Sequence, residues 1–279
     1  MPRLAIVIVT YNSVDQIGAC LASLSANPPT VDHETLIVDN ASRDGTTDLV
    51  RRTWPDVRLV EAGGNLGFAA ANNLGIRRTS GEFVLLLNPD TVVPAGAVDA
   101  LVARLETRLD AAVVGPRLIG GDGRVELSFG PMIAPFAELR QKVLVRGHDR
   151  GIRLVSALVN RITGTSREVD WVSGACLLVR RADAEAAGLF DERFFMYTED
   201  VDFCAAVRAR GRRVLFDAEI EVQHLRGRSA ASAPGPTAAA YRRSQLAFYS
   251  KHHPGLALPL RLYLKLRGRL PDTLIGPGP

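Results

Sequence analysis

The sequence predicts an α/β fold in which a mainly parallel sheet is flanked by helices, and three observations support this prediction. Short aliphatic runs alternate with segments whose apolar residues recur at helical spacing. Short polar turns join the two kinds of segment, which is typical of βαβ units. The run at residues 84–87 (VLLL) contains only aliphatic residues, as expected for a strand that is buried on both faces.

The alternation of predicted strands and helices is clearest in the first half of the chain. Residues 4–9 (LAIVIV) form the first predicted strand. The next segment, residues 14–24, places its apolar residues on one side of a helix. The further predicted strands are residues 35–38, 57–61, 84–87 and 112–114, and the further helices are a segment from the turn at 43–46 to Trp54, residues 68–79 and residues 97–108.

The pattern changes after residue 120. Residues 120–168 mix glycine, proline and basic residues with scattered apolar ones, which predicts an irregular, mobile insert. Regular structure is expected again over residues 169–179, in helices at 182–188, 200–210 and 238–252, and in a strand at 214–222. We therefore expect one α/β domain over residues 1–228 and a helical C-terminal extension over 229–279, with a flexible stretch at 229–236.

Composition places the chain among ordinary globular proteins. It has 279 residues, of which 47% are hydrophobic and 23% charged. The N-terminal apolar run is too short for a signal peptide, and no apolar stretch is long enough to span a bilayer. Three widely spaced cysteines support neither a disulfide framework nor a zinc knuckle, so a reducing cytoplasm is expected.

The charge is unevenly distributed. The formal net charge is +4, and basic residues outnumber acids mainly in residues 140–167 and 208–269. Such an excess suits a partner with negative charge, such as nucleotide phosphates or anionic lipid, although a solvated basic surface explains it equally well. Nucleic acid is not predicted as a partner, because no regular stacking aromatics accompany the basic residues.

Polar residues follow four of the predicted strands. The four clusters are Thr10-Tyr11-Asn12, Asp39-Asn40-Ala41-Ser42, Gly63-Gly64-Asn65 and Asn88-Pro89-Asp90. Because parallel strands present their carboxyl ends at one edge of a sheet, these clusters should line one crevice. A nucleotide would find a carboxylate for its base or ribose at Asp39 and a metal ligand for its phosphates at Asp90. Helix capping for Asp39 and a simple turn for Asn88-Pro89-Asp90 stay open as alternatives.

A second cluster lies farther along the chain. Glu199 and Asp200 precede the predicted helix, where the helix dipole should hold them ionised and suit one of them as a general base. His224 follows the last predicted strand and could join Asp90 at a metal, while Arg228 could neutralise phosphate. Capping accounts for one of the two acids, and a lone histidine is also commonly structural. The sequence lacks both G-x-G-x-x-G after its first strand and the P-loop motif, which disfavours hydride transfer and P-loop phosphoryl transfer.

An ordered set of motifs resembles a known family. The motifs are TYN (10–12), VDNAS (38–42), GGNLGFAAANNLG (63–75), LLLNPD (85–90), WVSGACLLVRR (171–181) and FFMYTEDVDFC (194–204). In this order they resemble family 2 inverting glycosyltransferases of the GT-A fold, in particular bacterial rhamnosyltransferase-like members, over residues 4–224. The GT-A fold is a Rossmann-like, mainly parallel sheet flanked by helices.

The resemblance implies roles for individual residues. Asp200 matches the catalytic base, with Glu199 beside it. Asp90 matches the metal-binding carboxylate of a D-x-D motif whose first acid is here Asn88, and His224 resembles a histidine that binds metal in some members. The residues implied in nucleotide or donor binding are Thr10, Tyr11, Asn12, Asp39, Asn40, Ser42, Asn65, Gly67, Asn72, Asn88 and Arg228, and those on the acceptor side are Trp171, Gly174 and Tyr197.

The implied reaction is a metal-dependent, inverting sugar transfer in cell-surface polysaccharide assembly, with Mg²⁺ or Mn²⁺ as the cofactor. The donor is expected to be dTDP-rhamnose, with UDP-sugars open, and the acceptor a glycan or a polyprenyl-diphosphate-linked sugar. A catalytically inactive nucleotide-sugar-binding module is the alternative outside enzymes, while a nucleotidyltransferase is disfavoured because its glycine-rich loop is missing. The amphipathic segment at 256–270 either contacts the inner face of the plasma membrane or docks on the domain as a helix.

Overall fold

The computed structural model of the chain describes residues 2–225 and 234–271. The strands are β1 Leu4–Thr10, β2 His33–Asp39, β3 Arg58–Glu61, β4 Phe83–Leu87, β5 Thr91–Val92, β6 Ala111–Gly120, β7 Phe129–Gly130, β8 Arg167–Val169, β9 Trp171–Val172, β10 Cys176–Arg180 and β11 Arg213–His224. The helices are α1 Val14–Ala26, α2 Thr46–Thr53, α3 Phe68–Arg77, α4 Ala97–Thr107, α5 Pro135–Asp149, α6 Arg153–Thr163, α7 Arg181–Ala186, α8 Glu199–Ala209, α9 Pro234–His252 and α10 Pro254–Leu266.

One large sheet organises the described part of the chain. Its strand order is β3-β2-β1-β4-β10-β6-β11-β5, with β8 paired to β11. The pairs β3/β2, β2/β1, β1/β4 and β6/β11 are parallel. Strand β10 is antiparallel to both of its neighbours and joins the two parallel parts. The predicted α/β class with a mainly parallel sheet is confirmed.

Helices cover both faces of this sheet. Alternate residues of β1 point to opposite sides, so that Leu4, Ile6 and Ile8 join one apolar core and Val7 joins the other. The first core includes residues of α1 and α4, and the second includes residues of α3 and α8. Cys20, Cys176 and Cys204 are buried and form no disulfide, as their spacing predicted.

Helix α3 lies unusually close to the sheet. A Cβ atom at Gly75 would come within 2.3 Å of Val7 Cγ1, a distance that atoms in a packed core do not adopt. The glycine therefore lets α3 approach β1. The N-terminus of α3 forms one wall of the crevice described below.

The prediction of an irregular insert at residues 120–168 is wrong. This stretch contains α5 and α6, which form a helical hairpin, and the short strand β7, which pairs with β9. Several apolar residues of these helices point to solvent rather than to a core, so their apolar side chains are not confined to a buried face.

The C-terminal part is helical, as predicted. Helices α9 and α10 include the predicted helix at 238–252 and most of the amphipathic segment at 256–270. The predicted flexible stretch at 229–236 falls largely on residues 226–233, outside the described residues. No helix in the ranges 2–225 and 234–271 is both long and apolar enough to cross a membrane.

Candidate active site

The ends of β1 and β2 form a hydrogen-bonded cluster around Asp39, which is almost fully buried. Its Oδ1 accepts hydrogen bonds from Thr10 Oγ1 at 2.8 Å and from Ser42 Oγ at 2.6 Å, and its Oδ2 accepts one from Ser42 N at 2.8 Å. The carboxylate thus holds the turn after β2 against the end of β1. Asp39 lies at the end of its strand, as predicted, and its buried hydrogen bonds give it a structural role as well.

Asn12 lines the same part of the edge. Its backbone N–H donates to Ser42 Oγ at 2.8 Å, and its side-chain Oδ1 accepts a hydrogen bond from Arg43 N at 2.8 Å. Tyr11, by contrast, is 47% exposed, so its ring is accessible to a planar ligand. The two turns after β1 and β2 are therefore joined into one rim.

The turn before α3 is tied to the same rim through Asn40. The side-chain Nδ2 of Asn40 donates to the carbonyl of Gly67 at 3.1 Å, and its Oδ1 accepts from Leu66 N at 3.3 Å. Asn65 Oδ1 accepts a hydrogen bond from Gly67 N at 3.1 Å. These contacts fix the position of the turn relative to the edge of the sheet. Asn72 lies one helical turn beyond Phe68 and donates to its carbonyl at 2.9 Å, which places its side chain along α3.

Backbone strain is concentrated at this edge. Among the described non-glycine residues, five have a positive φ, and four of them flank the predicted site: Asn12, Ala41, Tyr197 and Thr198, with values from 51° to 71°. Non-glycine residues adopt this left-handed conformation at a cost, and such residues cluster at binding and catalytic sites. The distribution marks the same edge that the polar clusters predicted.

The predicted metal ligands Asp90 and His224 come together, and a third residue accompanies them. His224 Nε2 lies 3.3 Å from Asp90 Oδ1, and His224 Nδ1 lies 3.1 Å from Glu126 Oε2. Strand β5 follows Asp90 directly and pairs with the end of β11, which brings the histidine to this carboxylate. Sequence reasoning missed Glu126, because it lies in the stretch that was expected to be irregular.

The imidazole carries a charge in this arrangement. Burial by itself lowers the pKa of His224, but the hydrogen bonds to Asp90 and Glu126 and their negative charges outweigh burial and raise its pKa to about 9. At neutral pH the protonated ring therefore bridges the two carboxylates. A metal ion at Asp90 would have to take the place of the proton on Nε2.

The donor set fits a divalent cation that shares its coordination with a ligand. Within residues 2–225 and 234–271, no group of three or more His, Cys, Asp and Glu side chains is arranged to hold a metal alone. Asp90 and His224 nevertheless offer one oxygen and one nitrogen that already face each other. Asn88 Oδ1 is buried with no hydrogen-bond partner among the described residues. Cations such as Mg²⁺ are commonly held by one or two protein ligands together with substrate phosphates, so these residues suit a metal–diphosphate complex.

Asp200 lies in the first turn of α8 and faces a glycine loop. Its Oδ2 accepts a hydrogen bond from Gly174 N at 3.0 Å, and its Oδ1 accepts one from Val201 N at 2.8 Å. A Cβ atom at Gly174 would lie 3.5 Å from Asp200 Cβ and 3.3 Å from the Phe68 ring, so little room is left for a larger residue. The glycine thus permits the loop after β9 to approach both the carboxylate and α3.

The two acids Glu199 and Asp200 in the first turn of α8 differ in their surroundings. Glu199 is buried, and its Oε2 has no hydrogen-bond partner in the described ranges. Burial and the neighbouring Asp200 charge raise the pKa of Glu199 well above its usual range. Burial also raises the pKa of Asp200, although the hydrogen bonds from Gly174 and Val201 oppose the shift. Burial therefore opposes the ionised form of Glu199 that the helix dipole was expected to favour.

Backbone contacts bring the metal-side and base-side residues into one crevice. Asn88 N donates to the carbonyl of Ala175 at 2.9 Å, and Ala175 directly follows the glycine that binds Asp200. On the other side, Phe68 N donates to the carbonyl of Phe195 at 2.7 Å, which ties the loop before α8 to the start of α3. The four predicted strand ends and the predicted base therefore meet at one edge.

The predicted acceptor-side residues have different environments. Trp171 is mostly buried, and its Nε1 donates to the carbonyl of Pro131 at 2.9 Å, so the indole supports the β7–β9 pair. Tyr197 lies in the strained turn before α8 and contacts the Tyr241 ring edge-on at 6.0 Å between centroids. Arg228, predicted to contact phosphate, lies outside the described residues. Roles for these residues at an acceptor or donor stay predictions.

Comparison with solved structures shows the fold, which is that of the GT-A glycosyltransferases. A mannosyltransferase from Pyrobaculum calidifontis, solved with GDP-Man and Mn²⁺, superposes with a TM-score of 0.62 at 20% identity and covers 95% of this chain and 70% of that one. Staphylococcus aureus TarS (residues 1–349) gives a TM-score of 0.58 at 18% identity over 88% of this chain, which spans 64% of the solved TarS chain.

Sequence comparison then gives the family. The model described as Glycosyl transferase family 2 matches residues 5–153. The N-acetylglucosaminyl-diphospho-decaprenol L-rhamnosyltransferase of Mycobacterium tuberculosis (strain H37Rv) is 33% identical over 286 aligned positions, which cover 96% of this chain and 92% of that protein. The rhamnosyltransferase WbbL of Escherichia coli K12 is 22% identical over 75% of this chain. The chain belongs to glycosyltransferase family 2 and resembles its rhamnosyltransferases, which confirms the predicted family and enzyme class.

Proposed function

We propose that this enzyme transfers rhamnose from dTDP-rhamnose to a hydroxyl group of a lipid-linked sugar, with inversion at the anomeric carbon. The observation that carries the proposal is the position of Asp200, which is fixed by Gly174 in the crevice that also contains the Asn88–Asp90 turn. A carboxylate so placed can accept the proton of an acceptor hydroxyl. The transferred sugar and the acceptor class are supported by the similarity to the mycobacterial N-acetylglucosaminyl-diphospho-decaprenol L-rhamnosyltransferase.

The nucleotide end of the donor belongs at the rim of β1 and β2. Asp39 and Asn12 shape a polar pocket there, and Tyr11 offers an exposed ring against which a base could pack. The turn containing Asn65 and Gly67 is held to this rim by Asn40. The diphosphate would run from the rim toward Asp90.

In the transfer step, Asp200 takes the acceptor proton while the hydroxyl oxygen attacks the sugar carbon and the bond to the diphosphate breaks. Attack from the side opposite the leaving group inverts the configuration. Asp90 and His224 would hold Mg²⁺ or Mn²⁺, and the bound cation would offset the negative charge that develops on the diphosphate. Glu199, whose pKa is raised by burial and by the neighbouring Asp200 charge, lies beside this base.

A contact with the membrane follows from a lipid-linked acceptor. Helix α10 exposes Leu258, Leu262 and Leu266 alongside basic residues, which suits a peripheral position on an anionic membrane surface. The alternative, that α10 only docks on the domain, accounts for Leu264, which is fully buried. Both contacts are compatible, because they use different sides of the helix.

The experiment that tests the proposal measures which nucleotide is released. The full chain would be incubated with Mn²⁺, a soluble N-acetylglucosaminyl-diphospho-lipid analogue and either dTDP-rhamnose, UDP-glucose or UDP-N-acetylglucosamine. We expect acceptor-dependent release of dTDP alone and a rhamnosylated product of inverted configuration by NMR. Release of UDP in its place would reassign the donor, and tight donor binding without any release would identify an inactive binding module.

A further inference from the structure

The α5–α6 hairpin turns apolar side chains toward solvent. On α5, Phe136 is 87% exposed and Leu139 61%, and Val143 continues the same face one turn later. On α6, Leu154 is 86% exposed, and Leu158 follows at the next turn. An exposed apolar surface of this extent marks a contact site in a soluble domain.

The charged residues around these apolar side chains are nearly all basic. Between residues 139 and 166, Asp149 is the only acid. The basic residues in the same interval are Arg140, Lys142, Arg146, Arg150, Arg153 and Arg161. The arginines at 140, 146, 150, 153 and 161 are exposed beside the apolar face, so the surface combines leucine-like side chains with positive charge.

Helix α10 has the same character and begins next to α5. His253, which precedes α10, donates from Nε2 to the carbonyl of Ile133 at 2.7 Å, and Ile133 lies two residues before α5. Residues 254–271 contain no acid, and Arg261, Lys265 and Arg267 are exposed among the leucines. The hairpin and α10 are therefore neighbouring elements, and both expose leucines beside basic residues.

The inner side of the hairpin is firmly attached to the domain. His148 at the end of α5 hydrogen-bonds to the carbonyl of Val125 at 2.9 Å and to Ser156 Oγ of α6 at 3.0 Å. Glu138 accepts hydrogen bonds from Tyr241 at 3.0 Å and Tyr249 at 3.0 Å of α9. The exposed apolar side chains are therefore presented by a braced scaffold and not by a loose segment.

We propose that the outer face of the α5–α6 hairpin, together with α10, binds an anionic lipid bilayer, with the apolar side chains at the headgroup boundary and the arginines on lipid phosphates. This inference rests on the proposed function and deepens it, because a membrane contact at this surface would bring the enzyme to a lipid-linked acceptor. A second copy of the chain is a poorer partner, because two such faces would oppose arginine to arginine.

Vesicle co-sedimentation of the full chain tests this surface. Vesicles of phosphatidylcholine with 30 mol% phosphatidylglycerol, taken as roughly the anionic content of a bacterial membrane surface, would be compared with phosphatidylcholine alone. We expect binding to the anionic vesicles that weakens with added salt. The triple variant Leu139→Ser/Leu154→Ser/Leu262→Ser should reduce binding by about tenfold or more, because three apolar side chains no longer enter the boundary.

Matched controls separate the surface from general effects. Leu109→Ser removes an equally exposed leucine beside Asp110, away from the hairpin, and should bind as the wild type does. Arg146→Ser/Arg153→Ser should weaken anionic-vesicle binding by about fivefold for each arginine, whereas Arg51→Ser should not. Thermal unfolding of each variant checks that the fold is kept.

Two outcomes would overturn the inference: vesicle binding that the triple variant retains, or no vesicle binding by the wild type. If light scattering found a dimer that the triple variant loses, the face would instead be a contact between copies. Nucleotide release with a water-soluble acceptor reports on the proposed function separately, since the triple variant leaves the crevice intact. Release without vesicle binding rejects the surface alone, and vesicle binding without any release rejects the proposed function alone.

Discussion

Glu126 connects the metal-side residues to the rest of the sheet. It accepts a hydrogen bond from His224 Nδ1, and His224 in turn faces Asp90 through Nε2. A carboxylate behind a metal-binding histidine orients the ring and raises its basicity as a ligand. Glu126 touches neither substrate nor metal in this scheme and acts by positioning the histidine.

Replacing this positioning residue should weaken metal-dependent donor binding. We expect Glu126→Gln to lower the affinity for dTDP in the presence of Mn²⁺ by roughly tenfold, because the charge that orients His224 is lost. Calorimetry with and without Mn²⁺ measures the effect. Glu221→Gln, which removes only the exposed ion pair with Arg117, serves as the control. An equal loss of affinity without Mn²⁺ would show that Glu126 acts on the fold and not on the metal.

Removing the proposed base should separate chemistry from binding. Asp200→Asn keeps the size of the side chain and can accept one of the two hydrogen bonds, from Gly174 N or Val201 N, but it cannot take a proton at neutral pH. Transfer should fall by about 10²- to 10⁴-fold while donor affinity changes little. Turnover and calorimetry on the same sample give both values. A variant with wild-type turnover would remove Asp200 from the proposed role.

The raised pKa of Asp200 also predicts the acid side of the pH profile. A base works only when it is deprotonated, so transfer should be complete above the pKa of Asp200 and lost as pH falls through it. Burial raises this pKa above the ordinary value of 3.8, so the loss should begin at a correspondingly higher pH. A pH–rate profile, with circular dichroism at each pH as the check on folding, measures the midpoint. A midpoint at or below 3.8 would contradict the assignment.

At the scale of elements, the approach of α3 to β1 depends on Gly75. Gly75→Ala would place Cβ 2.3 Å from Val7 Cγ1, so the helix or strand must move. We expect a loss of about 1–3 kcal/mol in the free energy of unfolding, which is typical of an overpacked core. Gly64→Ala is the matched control, because its added Cβ meets nothing within 4 Å. Urea unfolding of both variants tests the difference, and equal stabilities would mean that α3 adjusts freely.

The elements also explain which parts of the fold could be predicted. Strands such as β1 and β4 are buried on both faces, and their sequences are correspondingly uniform. Helices α5 and α6 were missed although the apolar residues of α6 recur at helical spacing. Phe136, Leu139 and Leu154 face solvent, and the glycine, proline and basic residues around them resembled an irregular segment. Glu126 was missed for a related reason: its partner His224 lies far along the chain, and only the pairing of β6 with β11 brings the two together.

At the scale of the whole molecule, Glu138 joins the hairpin to the C-terminal helices. Its side chain is 13% exposed and accepts hydrogen bonds from Lys142, Gln245, Tyr241 and Tyr249. Burial alone would raise the pKa of Glu138, but the hydrogen bond and charge of Lys142 and the tyrosine hydroxyls lower it below the ordinary 4.5. One carboxylate therefore holds α5 and α9 together.

Glu138→Ala should destabilise the whole chain and not only its C-terminal helices. We expect a loss of about 3 kcal/mol or more at pH 7, because Lys142 and two tyrosine hydroxyls lose their partner. Since the pKa of Glu138 is lowered on folding, this contribution is present above pH 4.5 and decreases as pH falls through the lowered value. Thermal unfolding at pH 7 and pH 3 measures both effects. Glu185→Ala, at an exposed ion pair, should change little, and a two-step unfolding curve would show that α9 and α10 separate independently.

The insertion of β10 between β4 and β6 has a consequence for how the molecule is made. Strands β4 and β6 are synthesised before β10, but they are not neighbours in the folded sheet. The later strand β10 lies between them and pairs with both. Until β10 has paired, the edge of β4 stays open to other chains, which favours aggregation. Such distant pairing also slows folding. The crevice lies across this junction, so it cannot be complete in a newly made chain before β10 is in place.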